Sequence, residues 1–501
     1  MGGIRMTTLV VGGGSAGSAL AARLTQDGDR DVLLLEAGPA AAGFAPDVRD
    51  GSSIRGALPG HPASWSFPSH LTAERDYTLV RGRMLGGSSA VNGGYFIRAR
   101  ARDHHGWAQA GGDRWSYASA LPVWRALETD ADFPDSPLHG STGPMPIRRP
   151  DVVGLTAAFL RAARARGHQA ERDKNGEERP GAGLVPSTIV DGVRVSTATA
   201  YLPEAVRAGP GLRVEGDTTV GRVLIEGGRA VGVETARGEI RADEVVLTAG
   251  AIGTARILLS SGIGPATQLE TLGVRVRADL PVGTAFSDHP NVSLAWRPED
   301  PASGSAGRHA FPAAVHFDSG GWPDADLEIL LSVKPLRHLL LGGSGTTAGS
   351  DLARLDDLPL LVGLQSPSAR GTLSLQAADP GAPPRIDFHY LEEADDRRRL
   401  RVGVREATAL VGMMGGRVMS LPETDLDDDA LDAWVAANLG TAIHMCGTAP
   451  MGAVVDGTGQ VRGIAGLRVA DTSIIPVAPL RGPAASAVLV GEIIARAMRD
   501  G

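Results

Sequence analysis

Three glycines spaced as Gly12-x-Gly14-x-x-Gly17 lie in the run Gly12-Gly13-Gly14-Ser15-Ala16-Gly17, and an acidic residue, Glu36, follows about 20 residues further on. Residues of these types at this spacing suit a dinucleotide. Glycine permits a tight turn, close backbone approach to a pyrophosphate and close helix packing, while the carboxylate takes ribose hydroxyls. The elements that must position them are legible in the flanks. Residues 7 to 11 are a short β-branched and apolar run, 18 to 24 an Ala-rich helical stretch, and 31 to 35 a buried parallel strand ending at Glu36. A strand, turn, helix and second strand therefore close within about 30 residues, with the helix N-terminus turned to the phosphates. Taken alone, the spacing also describes a glycine-rich turn and does not choose between NAD and FAD.

The chain is 501 residues long, 43% hydrophobic and 21% charged, which excludes a disordered tail and a fibrous repeat. Gly 67 and Pro 33 are spread evenly, a composition of many turns and close backbone approaches rather than of a helical bundle. A net charge of -8 with no basic segment disfavours nucleic acid. Cys446 is the one cysteine, so no internal disulfide and no cysteine-built zinc site is expected, and a cytoplasmic location fits. No apolar run reaches the length of a membrane span. The opening "MGGIRMTTLVVGGGSAGSALAARL" has features of a secretory peptide, but its glycine spacing is better explained by the nucleotide turn.

Further along, "VGRVLIEGGRAVGVETARGEIRADEVVLTAGA" predicts a meander that turns at Gly227-Gly228 and near Arg237-Gly238 before a strand at 245 to 247. Segments 150–196 and 292–435 differ in texture, with acidic and Pro-rich connectors. They are expected to form a second domain inserted into a first made of 1–149, 197–291 and 436–501.

Four stretches carry a resemblance: "GRMLGGSSAVNGGYFIRARARDHHGWAQAGGDRWSY", "GAIGTARILLSSGIGP", "VGTAFSDHPNV", and "HMCGTAPMG" followed by "VRGIAGLRVADTSIIP". In this order they resemble the glucose-methanol-choline (GMC) flavoprotein oxidoreductases. The resemblance implies an α/β fold, in which a Rossmann-like FAD-binding domain is interleaved with an α+β substrate-binding domain, and it favours FAD over NAD. It further implies that Gly12, Gly14, Ser15, Ala16 and Gly17 hold the pyrophosphate, Glu36 the adenosine ribose, and the Val220 backbone the adenine. Arg83, Gly86, Gly87, Ser88 and Asn92 would lie along the flavin, where glycines at 86 and 87 would let backbone pack on a flat ring. Asp471 would support the ribityl and pyrophosphate portion. Pro483 would open a last helix, running to about Met498, with its positive end toward the flavin. Many relatives link FAD through a histidine just before the loop asparagine. Val91 stands there, so FAD is expected to be non-covalent.

The family's catalytic base maps onto His444. Alcohol oxidation needs a group that takes the hydroxyl proton as hydride leaves carbon for flavin N5, and imidazole suits that task. No metal is expected. Cys446, two residues on, is read as packing, Asp288-His289-Pro290 as structural, His104 and His105 as surface residues, and His389 with Tyr390 as facing the substrate cavity. One departure stands out. The family places a second histidine or an asparagine near the C-terminus, and counting back from Gly491-Glu492 that position is Gly482. Arg481, Ser486, a substrate group or a water is left to replace it.

The expected function is FAD-dependent oxidation of a small-molecule alcohol. The length, "GGYFIRAR" and "RGP" resemble mycofactocin-associated actinobacterial members, which implies reduced mycofactocin as donor and a respiratory acceptor. The alternatives are a small-alcohol oxidase, a hydroxynitrile lyase-like protein, and an electron-carrier flavoprotein without alcohol turnover.

Overall fold

The computed structural model of the chain describes residues 6–26, 28, 30–40, 46–299, 308–321, 324–336, 357–421 and 426–500. Strand Met6–Val11 runs into helix Ser15–Leu24 and then strand Arg30–Leu35. The two strands pair in parallel, Leu9 opposite Leu33 and Val11 opposite Leu35. Glu244–Leu247 adds on the other flank, and Leu212–Glu215 and Leu467–Val469 form the edges of a five-stranded parallel sheet. Parallel strands are covered on both faces, and Leu9, Val10, Leu34, Val245 and Leu247 are accordingly inaccessible to solvent. Helix Ala484–Arg499 packs on helix Ser15–Leu24.

All five strands end at one rim, where a doubly wound sheet binds its ligand. Val11 leads into Gly12, Leu35 into Glu36, Leu247 into Thr248, and Val469 reaches Asp471 two residues later. Residues far apart in the chain are thereby gathered at one edge. The meander is present as antiparallel strands Val220–Glu226, Arg229–Thr235 and Gly238–Arg241, placed before Glu244–Leu247.

A second sheet is antiparallel and includes Pro290–Pro298, Ala313–Phe317, Leu327–Leu331 and Leu358–Leu364, with Ala182–Leu184 at its edge. The 20-residue helix Ala394–Met413 covers one face, with Gly403 so close to Val362 that a Cβ would lie 2.5 Å from its Cγ1. Side chains alternate along a strand, so Leu327 and Ile329 turn to this helix and Glu328 to the opposite face. Two segments grouped by sequence with the nucleotide-binding part take part in pairings across the divide. Leu439–Thr441 pairs with Pro290–Pro298, and Ser64–Thr72, hairpinned with Arg75–Gly82, meets Arg385–Asp387. Strand partners are chosen by backbone hydrogen bonds over long separations, which local composition does not record.

Glu128, Asp130 and His139 converge in the interior and have the residue types of a metal site. Their charges are already balanced by protein cations: Arg98 bonds Glu128, and Arg149 bonds Asp130 at 2.6 Å. Burial opposes charge on His139, yet Asp130, Asp173 and Glu128 together push its pKa up to about 10, so it is an imidazolium. We read the cluster as an internal salt-bridge network. Among the described residues no helix is long and apolar enough to cross a membrane.

Candidate active site

At the sheet rim, the turn Gly12–Gly17 packs without space for side chains. A Cβ at Gly17 would lie 2.0 Å from Gly12 O and 2.6 Å from Thr248 Oγ1. The Glu36 carboxylate accepts from Gly13 N at 2.9 Å and Gly38 N at 3.0 Å, and burial, against these bonds, raises its pKa to about 7. The loop from Arg83 to Asn92 crosses above. Gly86 N donates to Gly13 O at 2.7 Å, and Gly87, at φ 52, directs its missing side chain at Gly14, whose Cα would be 2.7 Å from a Cβ. Loop-on-loop contact thus requires the glycine at 87. Ser88 Oγ accepts from Gly82 N, and Asn92 Oδ1 accepts from Gly94 N at 2.9 Å. Asp471 accepts from Gly250 N at 2.9 Å and Thr254 Oγ1 at 2.5 Å, tying helix Gly250–Ser260 to the rim. Val220 begins its strand at a register irregularity against Thr235.

Two features of this rim fit a phosphate-bearing, planar cofactor. Helix Ser15–Leu24 has neither a side-chain cap nor an acidic residue in its first turn, leaving its N–H groups for an anion. Arg83, stacked 4.7 Å from the Trp65 ring centroid, has a buried Nε with no hydrogen-bond partner among the described residues. The cofactor-binding residues expected from sequence lie on this rim, on the Arg83–Asn92 loop and at the start of the Val220 strand, with Pro483 capping helix Ala484–Arg499.

His444 lies beyond the end of strand Leu439–Thr441, on a backbone held by several bonds. Ile443, just before it, has φ 61, a left-handed conformation costly for a β-branched residue. Arg81 Nη1 donates to Ile443 O at 2.5 Å, and Ile443 N donates to Thr441 Oγ1 at 2.9 Å. Asp288 Oδ1 accepts from His444 N at 2.8 Å and from His289 N at 2.6 Å, clamping two distant segments together. The two rings then meet edge to face, with Nδ1 to Nδ1 at 2.9 Å. The reading of His289 as merely structural is therefore revised: it is in direct contact with the candidate base. His444 keeps part of its surface open to solvent, while burial, aided by Arg81 and opposed by Glu328, lowers its pKa to about 4.

The other edge of His444 faces Gly482. A Cβ at 482 would be 3.1 Å from His444 Nε2 and Cε1 and 3.3 Å from Tyr95 Cε1. The position where a second donor was expected is thus spatially beside His444 and carries no side chain. Tyr95 OH donates to Glu328 Oε2 at 2.8 Å, and His316 Nε2 lies 2.7 Å from the same oxygen. Neither Tyr95 nor Glu328 was singled out from sequence, because one sits in a glycine-rich loop and the other in an apolar strand.

One expectation fails on burial. His104 is fully buried, not on the surface: its Nδ1 is 2.9 Å from Trp115 O, and Trp124 Nε1 donates to its Nε2. His104 and Trp107, three apart on helix Ala101–Gly111, share the inner face, a spacing that was readable in the sequence. His389 is half-buried and its Nδ1 lies 2.9 Å from Glu392 Oε1, whereas Tyr390 is buried. Cys446 is fully buried, and burial first, then Asp288, raise its thiol pKa well above the usual value, consistent with packing.

Comparison with known proteins agrees with this geometry. Family profiles described as GMC oxidoreductase match residues 6–291 and 367–491. A GMC-type oxidoreductase of the thcA 5′ region of Rhodococcus erythropolis is 39% identical, over 97% of this chain and 96% of the relative. The 5-(hydroxymethyl)furfural oxidase of Methylovorus sp. (strain MP688) is 33% identical over 98% of each. The crystal structure of pyridoxine 4-oxidase from "Mesorbium loti" superposes with a TM-score of 0.89 at 29% identity, covering 99% of this chain and 100% of that one. With both profiles matched and these relatives aligned almost end to end, the chain belongs to the GMC oxidoreductase family and is an FAD-dependent oxidoreductase of the CH–OH class.

Proposed function

We propose that the chain oxidises an alcohol with His444 as the base. The observation that supports it most is the open edge of His444: Nδ1 is occupied by His289, and Nε2 faces the space above Gly482. A proton on the Nδ1 contact can sit on only one ring. When His444 carries it, Nε2 is bare and accepts the substrate hydroxyl proton. With a pKa near 4, that nitrogen is unprotonated at neutral pH.

Bound FAD would supply a two-electron acceptor for the hydride leaving the carbinol carbon. Gly12, Gly14, Ser15, Ala16 and Gly17 would hold its pyrophosphate, Glu36 the ribose, the Val220 backbone the adenine, Arg83 to Asn92 the flavin and Asp471 the connecting portion, with Pro483 and its helix beneath. Segments 1–149, 197–291 and 436–501 serve the cofactor in this reading, and 150–196 and 292–435 serve the substrate. Val91 is packed with Val48, Ala63 and Met84 and offers no nucleophile for a covalent link. Acid precipitation is expected to release FAD into the supernatant; flavin in the pellet would contradict this.

The donor is an alcohol with polar groups of its own. Gly482 contributes no second contact at the reacting oxygen, so orientation must come from elsewhere on the substrate. Reduced mycofactocin, suggested by the motif resemblance, is one such donor, and a quinone-like respiratory acceptor accompanies it. A cytoplasmic location agrees with the buried, unpaired cysteine. The test is anaerobic mixing of the holoenzyme with alcohols while following flavin absorbance. Reduced mycofactocin is expected to bleach the flavin faster than ethanol or methanol, and a quinone to reoxidise it faster than oxygen. Rapid oxygen-coupled turnover of a simple alcohol, with no response to mycofactocin, would reject that donor. Failure of every alcohol would favour a lyase-like or electron-carrier role.

A further inference from the structure

Arg481 immediately precedes Gly482, and its side chain is fully buried. Its Nη1 donates to its neighbour's carbonyl, Leu480 O, at 2.6 Å. Nε and Nη2 are also buried and have no hydrogen-bond partner among the described residues. These two nitrogens share one edge of the guanidinium, and their N–H bonds point the same way, a fork that matches the two oxygens of a carboxylate. A buried cation with an empty fork is costly unless something pairs with it.

The surrounding acids do not supply the pair. Tyr95, Glu171, Lys174, His316 and Glu328 lie within electrostatic reach of Arg481. Glu328 Oε2 is taken by Tyr95 and His316, and Glu171 Oε2 by Lys174 Nζ at 2.6 Å and Gly181 N at 3.1 Å. Glu171 Oε1 is buried without a hydrogen-bond partner, yet among the described residues neither carboxylate forms a hydrogen bond or ion pair with Arg481. Asp103, beneath the same loop, accepts from Leu480 N at 3.1 Å and Arg100 N at 2.7 Å. Ser486 is buried with an unpartnered Oγ as well, but a neutral hydroxyl carries no preference for an anion.

We infer that Arg481 binds a carboxylate of the substrate, so that the alcohol oxidised beside His444 is a hydroxy acid. This rests on the reading of His444 as the base and adds the class of donor. It also accounts for the lack of a second donor at Gly482: with the carboxylate held one residue away, the reacting hydroxyl is oriented through the substrate's own skeleton, and a Cβ at 482 would crowd His444 Nε2 at 3.1 Å. Arg481 is a binding residue for the acid group, and the proton still goes to His444.

The test uses the FAD-loaded enzyme and two independent readouts. In the first, acetate and its neutral isostere acetamide are titrated anaerobically while the flavin spectrum is followed. Acetate is expected to perturb the spectrum and acetamide not to. Arg481→Met should weaken acetate by about 30-fold or more, and Arg481→Lys should restore only part of the affinity because it keeps the charge without the fork. In the second, flavin reduction by glycolate, 3-hydroxypropionate and 4-hydroxybutyrate is compared with that by ethylene glycol, 1,3-propanediol and 1,4-butanediol. The wild type should prefer an acid over its diol, and the preference should collapse in Arg481→Met. Equal response to acetate and acetamide, or an acid-to-diol ratio that Arg481→Met leaves unchanged, would overturn the assignment. So would a variant that loses FAD or melts earlier while its remaining holoenzyme binds acetate normally, since that places Arg481 in the fold alone. If acetate binds through Arg481 but no alcohol or hydroxy acid bleaches the flavin, the anion site stands and the alcohol reading fails.

Discussion

Replacing His444 by alanine is expected to leave FAD bound and to slow flavin reduction by a substrate alcohol by about 10² to 10⁴, the usual cost of removing a positioned base. Cofactor retention is expected because the nucleotide turn, Glu36 and Asp471 belong to the rim of the parallel sheet, whereas His444 sits past strand Leu439–Thr441. The pH profile follows from the direction of the shift. The base must be neutral, burial lowers its pKa to about 4, and the rate should therefore be level at neutral pH and fall through that value as acid is added. Stopped-flow reduction of wild type and variant over a pH series checks both statements. Near-normal reduction in His444→Ala, or a fall centred near pH 6.5 in the wild type, would count against the assignment.

The nucleotide end of the molecule was legible because its information is local. Strand, glycine turn, helix and acid follow one another within a few dozen residues, and the parallel pairing of Met6–Val11 with Arg30–Leu35 is nearly forced by the crossover between them. The last helix was legible for a similar reason, since Gly482-Pro483 marks its start and Ala484–Arg499 follows. Even here the physical cause was only partly visible. Gly87 was expected to spare a flat ring; it also meets Gly14 of the first loop, 73 residues earlier in the chain, a contact with no local signature.

The proposed catalytic end was legible only through its motif. Histidine 444 could be named, but His289 is 155 residues away and reads locally as part of an ordinary Asp-His-Pro turn. What makes the pair is Asp288, whose single Oδ1 accepts from both backbones, and an antiparallel bridge between Ser287 and Cys446. Glu328 was hidden by the opposite effect. It lies in the buried strand Leu327–Leu331, where a lone acid looks like an intrusion until His316 is found directly across the ladder and Tyr95 above it. The unsatisfied fork of Arg481 is a property of burial, and no sequence pattern reports burial of a single guanidinium.

Replacing His289 by leucine is expected to reduce the rate of flavin reduction by about 10- to 100-fold while leaving substrate affinity and FAD content in place. The expected loss comes from the tautomer of His444. An Nδ1 to Nδ1 contact of 2.9 Å shares one proton, and when His444 donates it, Nε2 is fixed as the acceptor facing Gly482. Without His289, nothing at that edge chooses between the two tautomers or holds the ring against rotation. Locking a triad histidine in the wrong tautomer costs about 10⁴; merely releasing the choice should cost less. Leucine fills the interior but leaves His444 Nδ1 without its partner, so a loss of about 1–3 kcal/mol in stability is expected alongside the kinetic effect. The informative readout is the split between kcat and KM, because His289 acts through His444 and need not touch the substrate. A variant with unchanged kcat would show that the contact only packs the site, and one with unchanged kcat but raised KM would move His289 into the substrate pocket.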